Sequence, residues 1–383
     1  MLLPADPKAN YLAHKDEIDQ AIHRVLDSGR YILGHEVAAF EGEFTQYIGV
    51  REAVGTASGT DALHLALRAC GICQGDGVIT VSHTAVATVA AIELAGAIPV
   101  LVDIEPATFT MDPNCLEEAI KKYRRRRWLP RGSCLKAIIP VHLYGHPADM
   151  PAIMDIASRH DLFVIEDCAQ SHGAAIRGRR TGAWGHLSAF SFYPTKNLGT
   201  LGDGGAVITN DRELAERARW AREFGWRERY ISYQPGMNTR LDEIQAAILR
   251  VKLHYLDKEN GRRQQIAGIY DALLSATALI LPRSESPLSH VYHQYVVRSN
   301  HRDDLRRFLK ANSVETLIHY PLPVHLQPAY QGRVVIGPDG LRQTERICRE
   351  ILSLPMHPQM ADEQARRVSE MISDWCRQPR GNG

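Results

Sequence analysis

The strongest constraint on the fold is a regular alternation of apolar runs and helical segments that begins after Gly75. Four runs have the length and apolar content of buried strands, and three segments between them have apolar residues at helical spacing. In chain order they are a strand at 78–81, a helix at 85–94, a strand at 99–104, a helix at 114–126, a strand at 135–144, a helix at 150–160 and a strand at 162–167. Parallel strands need long crossover connections, so this alternation predicts a layered α/β domain.

The pattern divides the chain into two predicted domains. Residues 1–255 form a large three-layer α/β/α domain, and residues 256–383 form a smaller C-terminal α+β domain. The large domain also contains predicted helices at 14–28, 36–47, 212–224 and 241–256 and a strand at 206–209. In the small domain we expect strands at 292–298 and 315–319, helices at 302–311 and 362–375, and a frayed tail at 377–383.

The charge balance argues against two classes of partner. Lysine and arginine number 45 and aspartate and glutamate 44, and a net charge of +1 gives no reason to expect nucleic acid or a membrane. The one dense basic run, KKYRRRRW at 121–128, falls at a predicted helix end, where cations suit the helix dipole. No apolar run approaches the ~20 residues of a membrane helix, and the start lacks a signal-peptide core.

The seven cysteines are odd in number and scattered, which favours free thiols in a reducing compartment. We therefore expect a cytoplasmic protein. Cys70 and Cys73 form a CxxC pair with no second pair and no neighbouring histidine motif, so we predict no metal site.

Lys196 stands in a stretch, FSFYPTKNLGTLGDGG, that does not suit a surface. It follows the apolar, strand-like run 187–192 and precedes a glycine-rich turn. An enclosed amine loses its proton more readily and can then attack a carbonyl, which makes Lys196 a Schiff-base candidate. The alternative is a lysine at a strand end whose amine reaches solvent.

Two further stretches favour the chemical interpretation. The apolar run 162–165 ends in Glu166 and Asp167, as expected of a parallel strand that delivers a carboxylate to the ligand-binding edge of a sheet. Ser58-Gly59-Thr60 opens a helical run, and a helix N-terminus with small residues can hold a phosphate, although it is also an ordinary helix cap. A lysine for an aldehyde, a carboxylate for a ring nitrogen and a phosphate cradle together match the needs of pyridoxal 5'-phosphate.

Four motifs in this order resemble the DegT/DnrJ/EryC1/StrS family of pyridoxal-phosphate sugar aminotransferases. They are ASGTDALHLAL, VIEDCAQSHGA, FSFYPTKNLGTLGDGGAVITND and GMNTRLDEIQAAIL, and the similarity extends from about residue 21 to about residue 358. The resemblance implies the fold-type I architecture of such enzymes and a homodimer with shared active sites. It also implies two substrates, an amino-acid donor and a nucleotide-linked ketosugar.

The resemblance also assigns residues. It makes Lys196 the Schiff-base lysine and proton-transfer base and Asp167 the partner of the pyridine nitrogen. The other implied cofactor contacts are Gln170 beside the ring hydroxyl, Ser191 with the backbone of Gly59 and Thr60 at the phosphate, and Asn238 at the phosphate of the other subunit. Implied substrate contacts are Tyr31, Arg229, Tyr230, Tyr320 and His325. Ala85 departs from the family, because many relatives have an aromatic residue there over the cofactor ring.

The implied reaction moves an amino group from an amino acid, usually L-glutamate in this family, through pyridoxamine phosphate to the ketosugar. The stretches DSGRYILG, PVHLYGHPADM and HYPLPVHLQPAY favour members that aminate C-3 of a dTDP-linked 3-keto-6-deoxyhexose. A 4-keto sugar nucleotide or a ketocyclitol is the alternative. A regulatory protein that binds ligand or DNA is a further possibility, but we find no recognition helix in the sequence. A non-catalytic sugar-nucleotide binder is another, but it does not explain why both Lys196 and Asp167 are present.

Overall fold

The structure is a computed structural model that describes residues 1–126, 133–283 and 288–377. The end of the basic run, at 127–128, and the predicted tail from residue 378 onward lie outside the described residues.

The described residues contain the following strands in chain order: β1 (Glu52–Thr56), β2 (Gly77–Val81), β3 (Ile98–Val102), β4 (Leu135–Ile138), β5 (Phe163–Asp167), β6 (Ala175–Ile176), β7 (Arg179–Arg180), β8 (Leu187–Ser191), β9 (Gly205–Thr209), β10 (Trp226–Glu228), β11 (Ile231–Ser232), β12 (Leu288–Ser289), β13 (Tyr295–Arg298), β14 (Val335–Ile336) and β15 (Ile351–Leu354).

The α-helices of the same residues are α1 (Pro7–Ala13), α2 (Lys15–Ser28), α3 (His35–Ile48), α4 (Gly59–Ala69), α5 (Val86–Leu94), α6 (Pro113–Arg126), α7 (Met150–His160), α8 (Arg212–Arg222), α9 (Glu243–Leu274), α10 (Arg302–Ala311), α11 (Arg342–Glu350) and α12 (Asp362–Arg377).

Eight strands form one mixed sheet in the order β1-β9-β8-β5-β4-β2-β3-β14. The central strands are parallel, as predicted, and joined by helices, whereas β9 is antiparallel to both β1 and β8. The direction reverses after β8 because the connection to β9 is the Lys196 loop rather than a crossover helix.

Helices cover both faces of this sheet. Val78 and Ile79 are neighbours on β2 and belong to different apolar clusters, since successive side chains of a strand point to opposite faces. One cluster contains residues of α4, α5 and α8, and the other contains residues of α6 and α7. The predicted three-layer α/β/α arrangement is therefore confirmed.

The long helix α9 belongs to both predicted domains. Its first half packs against α2 and α3, and its second half, at Ile266 and Tyr270, enters the apolar core of the C-terminal region. The helix is continuous through residues 255 and 256, where we predict the domain boundary. In addition, β14 from the C-terminal region extends the large sheet beside β3.

Two strand predictions are wrong in part. The run predicted at 135–144 forms a strand only to Ile138, and the chain then enters a short 3₁₀ turn at Leu143–Gly145 with Tyr144 at a φ of +60°. The run at 315–319 is irregular. Isolated bridges form at Val314, just before the run, and at Leu317 within it. Apolar runs indicate burial, and they do not reveal where a chain leaves the sheet.

Among the described residues, no helix combines the length and the apolar character that a bilayer span requires.

Candidate active site

The candidate site lies where β5 and β8 end. The two strands are parallel neighbours, and Asp167, the last residue of β5, is in register with Ala189 on β8. After Ser191 the chain enters the loop that contains Lys196. Because the carboxyl ends of parallel strands open at the same edge, the sheet itself brings Asp167 and Lys196 together.

Asp167 is buried and held by two donors. The hydroxyl of Thr88 donates to Oδ2 at 2.8 Å, and the main-chain N–H of Ala169 donates to Oδ1 at 3.1 Å. Burial raises the pKa of Asp167, while these two hydrogen bonds and the positive charge of Lys196 oppose the rise. The donors therefore help to keep the carboxylate ionised.

The amine of Lys196 has a lowered pKa. Its backbone is fixed in a turn, where its N–H donates to the carbonyl of Tyr193 at 2.8 Å. Burial lowers the pKa of Lys196 to about 8, and the nearby Asp167 carboxylate partly opposes this effect. Within the described residues, the amine itself makes no hydrogen bond. With a pKa of about 8, about a quarter of the amines are neutral at pH 7.5 and able to act as nucleophile or base.

Helix α9 holds the Lys196 loop through three side chains. The contacts are Gln245 Oε1 accepting from the N–H of Leu201 at 3.0 Å, Lys252 Nζ donating to the carbonyl of Gly199 at 2.7 Å, and Asn260 Oδ1 accepting from Asn197 Nδ2 at 2.8 Å. The three helix residues are separated by seven and eight positions, close to two helical turns each, so they share one face of α9. This face supports the loop on both sides of the reactive lysine.

Glu166 faces away from Asp167, as the alternation of a strand requires. Its carboxylate accepts hydrogen bonds from His142 Nε2, the main-chain N–H groups of Gly182, Trp184 and Gly185, and the hydroxyl of Ser188. The ligand atoms of His142, Glu166 and Cys168 lie within 4.8 Å of one another, a spacing that could suit a metal. However, the other ring nitrogen of His142 accepts from the N–H of Ala148, so Nε2 carries a proton. The group is thus a hydrogen-bonded support for β5.

Gln170 links the end of β5 to the C-terminal region. Its Oε1 accepts from the main-chain N–H of Tyr144 at 2.7 Å, which fixes the orientation of the amide. Its Nε2 donates to the hydroxyl of Tyr320 at 3.2 Å, and an amide nitrogen has a second N–H to offer. Burial, followed by the charge of Asp167, raises the pKa of Tyr320 to about 12, so this hydroxyl stays protonated.

The start of α4 approaches Ser191 closely. A Cβ on Gly59 would lie 2.5 Å from the Cβ of Ser191, and a Cβ on Gly205 would lie 2.3 Å from the carbonyl of Ser58, so neither position admits a larger residue. Ser58 caps the helix by accepting from the N–H of Asp61 at 3.1 Å. The N–H groups of Gly59 and Thr60 have no helical acceptor, and together with Ser191 they form a cradle suited to an anion.

The other predicted contacts lie farther out. Tyr31 is half exposed, and its hydroxyl donates to the carbonyl of Leu26. Arg229 and Tyr230 form the turn between β10 and β11, with the guanidinium carbon 5.0 Å from the ring centroid of Tyr230. Tyr230 is 72% exposed and has a φ of +69°. In this chain these residues make no described contact with Lys196 or Asp167.

Asn238 and His325 have contrasting environments. Asn238 is exposed, whereas its neighbour Thr239 is buried and accepts from the N–H of Ala57, next to the cradle. His325 is buried, and its ring is already hydrogen-bonded to Ser82 at 2.7 Å and to Glu345 at 3.4 Å. A substrate contact by His325 would therefore have to replace or share one of these bonds.

Sequence reasoning missed Thr88, Lys252 and Tyr144. Thr88 lies one helical turn after Thr84, and their hydroxyls are 2.9 Å apart. Thr84 precedes the cap of α5 and Thr88 lies in the first turn, and such a pair is a weak signal because threonine is common at the start of helices. Lys252 is buried on a helix whose sequence gives no sign that its amine points inward.

The fold and the site define an α/β enzyme with an activated lysine beside a buried aspartate. Comparison with known proteins agrees: residues 13–373 match the model of the DegT/DnrJ/EryC1/StrS aminotransferase family. The chain belongs to this family and is an aminotransferase, and members of the family use pyridoxal phosphate.

Similar proteins cover nearly the whole chain. A dTDP-3-amino-3,4,6-trideoxy-alpha-D-glucose transaminase of Streptomyces venezuelae is 48% identical over 97% of this chain and 95% of its own length. The erythromycin biosynthesis sensory transduction protein EryC1 of Saccharopolyspora erythraea is 47% identical, with 95% and 96% covered. The crystal structure of S. venezuelae DesV in complex with a ketimine intermediate has a TM-score of 0.92 at 46% identity and covers 99% of both chains.

Proposed function

We propose that this protein uses pyridoxal 5'-phosphate to transfer an amino group from L-glutamate to C-3 of a dTDP-linked 3-keto-6-deoxyhexose. The observation that carries the proposal is the pairing of Lys196, whose pKa is lowered to about 8, with the buried Asp167. A lysine for an aldehyde and a carboxylate for a ring nitrogen are the two groups that this cofactor requires.

The residues present fit the cofactor. The amine of Lys196 makes no hydrogen bond within the described residues, so it is free to hold an aldehyde. Asp167 lies close enough to alter the pKa of that amine, and the cradle at Gly59, Thr60 and Ser191 offers N–H and hydroxyl donors to a phosphate. Gln170 Nε2 has a second N–H besides the one donated to Tyr320, which could serve as a donor for the ring hydroxyl.

When bound, the cofactor supplies an electron sink that weakens the bond between the α-carbon of the amino donor and its hydrogen. Lys196 Nζ, when neutral, takes this proton and returns it to a carbon on the cofactor side. Asp167 stays ionised and keeps a proton on the ring nitrogen, with Thr88 and Ala169 stabilising its charge. In the second half of the reaction Lys196 moves the proton in the opposite direction, and the sugar receives the amino group.

The choice of sugar rests on the relatives. The Streptomyces relative named as a transaminase of a dTDP-3-amino sugar shares 48% of its residues with this chain over almost its full length. This supports a dTDP-linked substrate aminated at C-3 over a 4-keto sugar or a ketocyclitol. The name of the EryC1 relative speaks of sensory transduction. A sensor, however, has no use for a lysine activated by burial beside a carboxylate, so we retain the enzyme as the proposal.

We also propose a homodimer in which each site receives Asn238 from the partner subunit. Four large apolar or aromatic residues between 224 and 233 are exposed, namely Phe224, Tyr230, Ile231 and Tyr233. Clustered exposure of this kind marks a contact surface. Asn238 and the predicted substrate contacts Arg229 and Tyr230 lie on or beside the same hairpin.

The seven cysteines, all free, support a location in the reducing cytoplasm.

The proposed function is tested in two half-reactions. The purified protein loaded with pyridoxal 5'-phosphate is mixed with L-glutamate, and mass spectrometry should detect one equivalent of 2-oxoglutarate for each site. Addition of the dTDP-linked 3-keto-6-deoxyhexose should then give the amino sugar and restore the original absorption spectrum. If the first half-reaction works and only a 4-keto sugar or a ketocyclitol is aminated, the substrate assignment is wrong. If no amino acid reacts, the enzyme assignment fails.

A further inference from the structure

Tyr144 has an unusual backbone for its side chain. It lies in the turn after β4 with a φ of +60°, a region that residues other than glycine seldom occupy, and it is only 2% exposed. Residues held in such conformations tend to cluster at functional sites, where the surrounding contacts enforce them.

Every polar group of Tyr144 is bonded to a different segment. Its N–H donates to Gln170 Oε1 at 2.7 Å, and its carbonyl accepts from the N–H of Gln294 at 3.2 Å. Its hydroxyl donates to the carbonyl of His319. The residue therefore joins the end of β5 to two segments of the C-terminal region.

The direction of the hydroxyl bond is fixed by a buried chain. The single hydroxyl proton goes to His319, so the tyrosine oxygen accepts from His83 Nε2 at 2.9 Å. The other nitrogen of His83 then accepts from the thiol of Cys348 at 3.3 Å. Burial lowers the pKa of His83 to about 3, so the ring is neutral and offers one donor and one acceptor, as the chain requires.

The segment that Tyr144 holds lies against the candidate site. Burial, followed by the charge of Lys196, lowers the pKa of His319 to about 4. Tyr320 accepts from Gln170 Nε2 at 3.2 Å. The contacts form a closed ring, from Tyr144 to Gln170, from Gln170 to Tyr320, and back through the His319 carbonyl to Tyr144.

We propose that Tyr144 is a positioning residue that sets the His319–Tyr320 segment on the substrate side of the site. This inference rests on the proposed function and adds a residue to it. Its backbone N–H orients Gln170, and its hydroxyl, oriented by His83, fixes the peptide next to Tyr320. Loss of the hydroxyl should displace Tyr320 on the substrate side, while the bond from the Tyr144 N–H to Gln170 Oε1 remains because it uses the main chain.

The test is Tyr144→Phe in the cofactor-loaded enzyme. We expect the cofactor dissociation constant and absorption spectrum of wild type, and a kcat/KM for the amino acceptor lower by about tenfold, since two buried groups lose their partner. Tyr270→Phe is the matched control, because the buried hydroxyl of Tyr270 also donates to a backbone carbonyl, that of Pro355, at 2.9 Å. The control should lose thermal stability without a change in kcat/KM. If Tyr144→Phe behaves like the control, the residue only supports the fold and the proposal is overturned.

A double-mutant cycle separates positioning from independent effects. If Tyr144 acts by placing Tyr320, the change Tyr144→Phe should have little further effect on kcat/KM in a Tyr320→Phe background. Additive losses would contradict the proposal. Should Tyr144→Phe fail to fold, His83→Phe removes the donor that orients the hydroxyl, and wild-type kcat/KM in that variant would also overturn it. Failure of the proposed function is distinct, because it would appear in the wild-type enzyme as the absence of both half-reactions.

Discussion

At the scale of single residues, Lys196 and Lys252 demonstrate that a shifted pKa does not identify a reactive group by itself. Burial lowers the pKa of both amines to about 8. Lys252 donates to the carbonyl of Gly199, whereas Lys196 makes no hydrogen bond within the described residues and lies near Asp167. The partners of the two amines, rather than their acidity, assign the chemistry to Lys196.

This difference predicts where the cofactor is attached. Borohydride reduction of the cofactor-loaded protein should fix the pyridoxyl group to the peptide that contains Lys196 and leave Lys252 unmodified, as checked by peptide mass spectrometry. Lys196→Ala should bind the cofactor weakly and lose turnover. A pyridoxyl group found on Lys252 would show that the assignment is wrong.

The lowered pKa of Lys196 also predicts a pH dependence. Only the neutral amine attacks an aldehyde, so the rate of cofactor attachment to the apo-protein should rise with pH and level off above a pH of about 8. Stopped-flow absorbance at a series of pH values measures this rate. A midpoint near 10, typical of an exposed lysine, would mean that burial does not activate the amine.

Asp167→Asn removes the charge at the ring nitrogen and keeps the size of the side chain. Turnover should fall by roughly two orders of magnitude or more, while the cofactor still binds. Because burial raises the pKa of Asp167 in the folded state, its ionisation costs stability; the cost is absent below the ordinary aspartate pKa and complete above the raised pKa. The apo-variant should therefore unfold at the same or a higher temperature at pH 7, as calorimetry can measure.

Glu166→Gln is the comparison for this variant. Glu166 accepts five hydrogen bonds on the opposite face of β5. Glu166→Gln should therefore lower the unfolding temperature, while the folded fraction of this variant should keep most of its turnover. Near-normal turnover in Asp167→Asn would refute the assignment of the aspartate.

At the scale of elements, the sequence indicated the alternating strands and helices well, because buried parallel strands and amphipathic helices have distinct apolar periods. It also located Lys196, Asp167 and the start of α4, since each stands at the end of such an element. It could not reveal Thr88, Tyr144 or Lys252, which depend on contacts across the fold. The end of β4 at Ile138 was missed although the sequence contains local strand breakers, Pro140 two residues later and Gly145 in the turn.

Helix α9 gives a prediction at this scale. Lys252→Met removes the donor to Gly199, so the loop should loosen and the rate of cofactor attachment at Lys196 should fall by about tenfold.

The same substitution also affects stability. The pKa of Lys252 is lowered in the folded state, so its charge costs stability below a pH of about 8, and this cost disappears as the pH rises toward the pKa of the unfolded state. At pH 7 the cost is about 3 kcal/mol, more than one lost hydrogen bond.

Lys252→Met should therefore retain or gain stability at pH 7 while losing activity. Lys258→Met is the matched control, since Lys258 is an exposed lysine on the same helix and should leave both quantities unchanged. If Lys252→Met attaches the cofactor at the wild-type rate, the α9 contact does not position the loop.

At the scale of the whole molecule, the proposed shared-site dimer makes a quantitative prediction. Mixing two inactive variants, Lys196→Ala and Asn238→Ala, gives hybrid dimers in which one site carries both defects and the other neither. Half the dimers are hybrids after random exchange, so roughly a quarter of wild-type activity should return. Asn238→Ala must first be shown to be impaired alone, and chain exchange must be verified by mass spectrometry. With exchange established, an inactive mixture would mean that Asn238 serves its own chain.

The continuous helix α9 also bears on how substrates enter. An α-helix of 32 residues is about 48 Å long, and this one is anchored along its length against both regions of the chain. A continuous helix of this kind resists hinge motion between the two regions, and β14 connects them a second time through the sheet. We expect any movement that admits substrate to be confined to exposed segments, such as the β10–β11 hairpin and the loop at Tyr31. Because these segments carry the predicted substrate contacts, substitutions there should alter the sugar preference without changing α9 or the Lys196 loop.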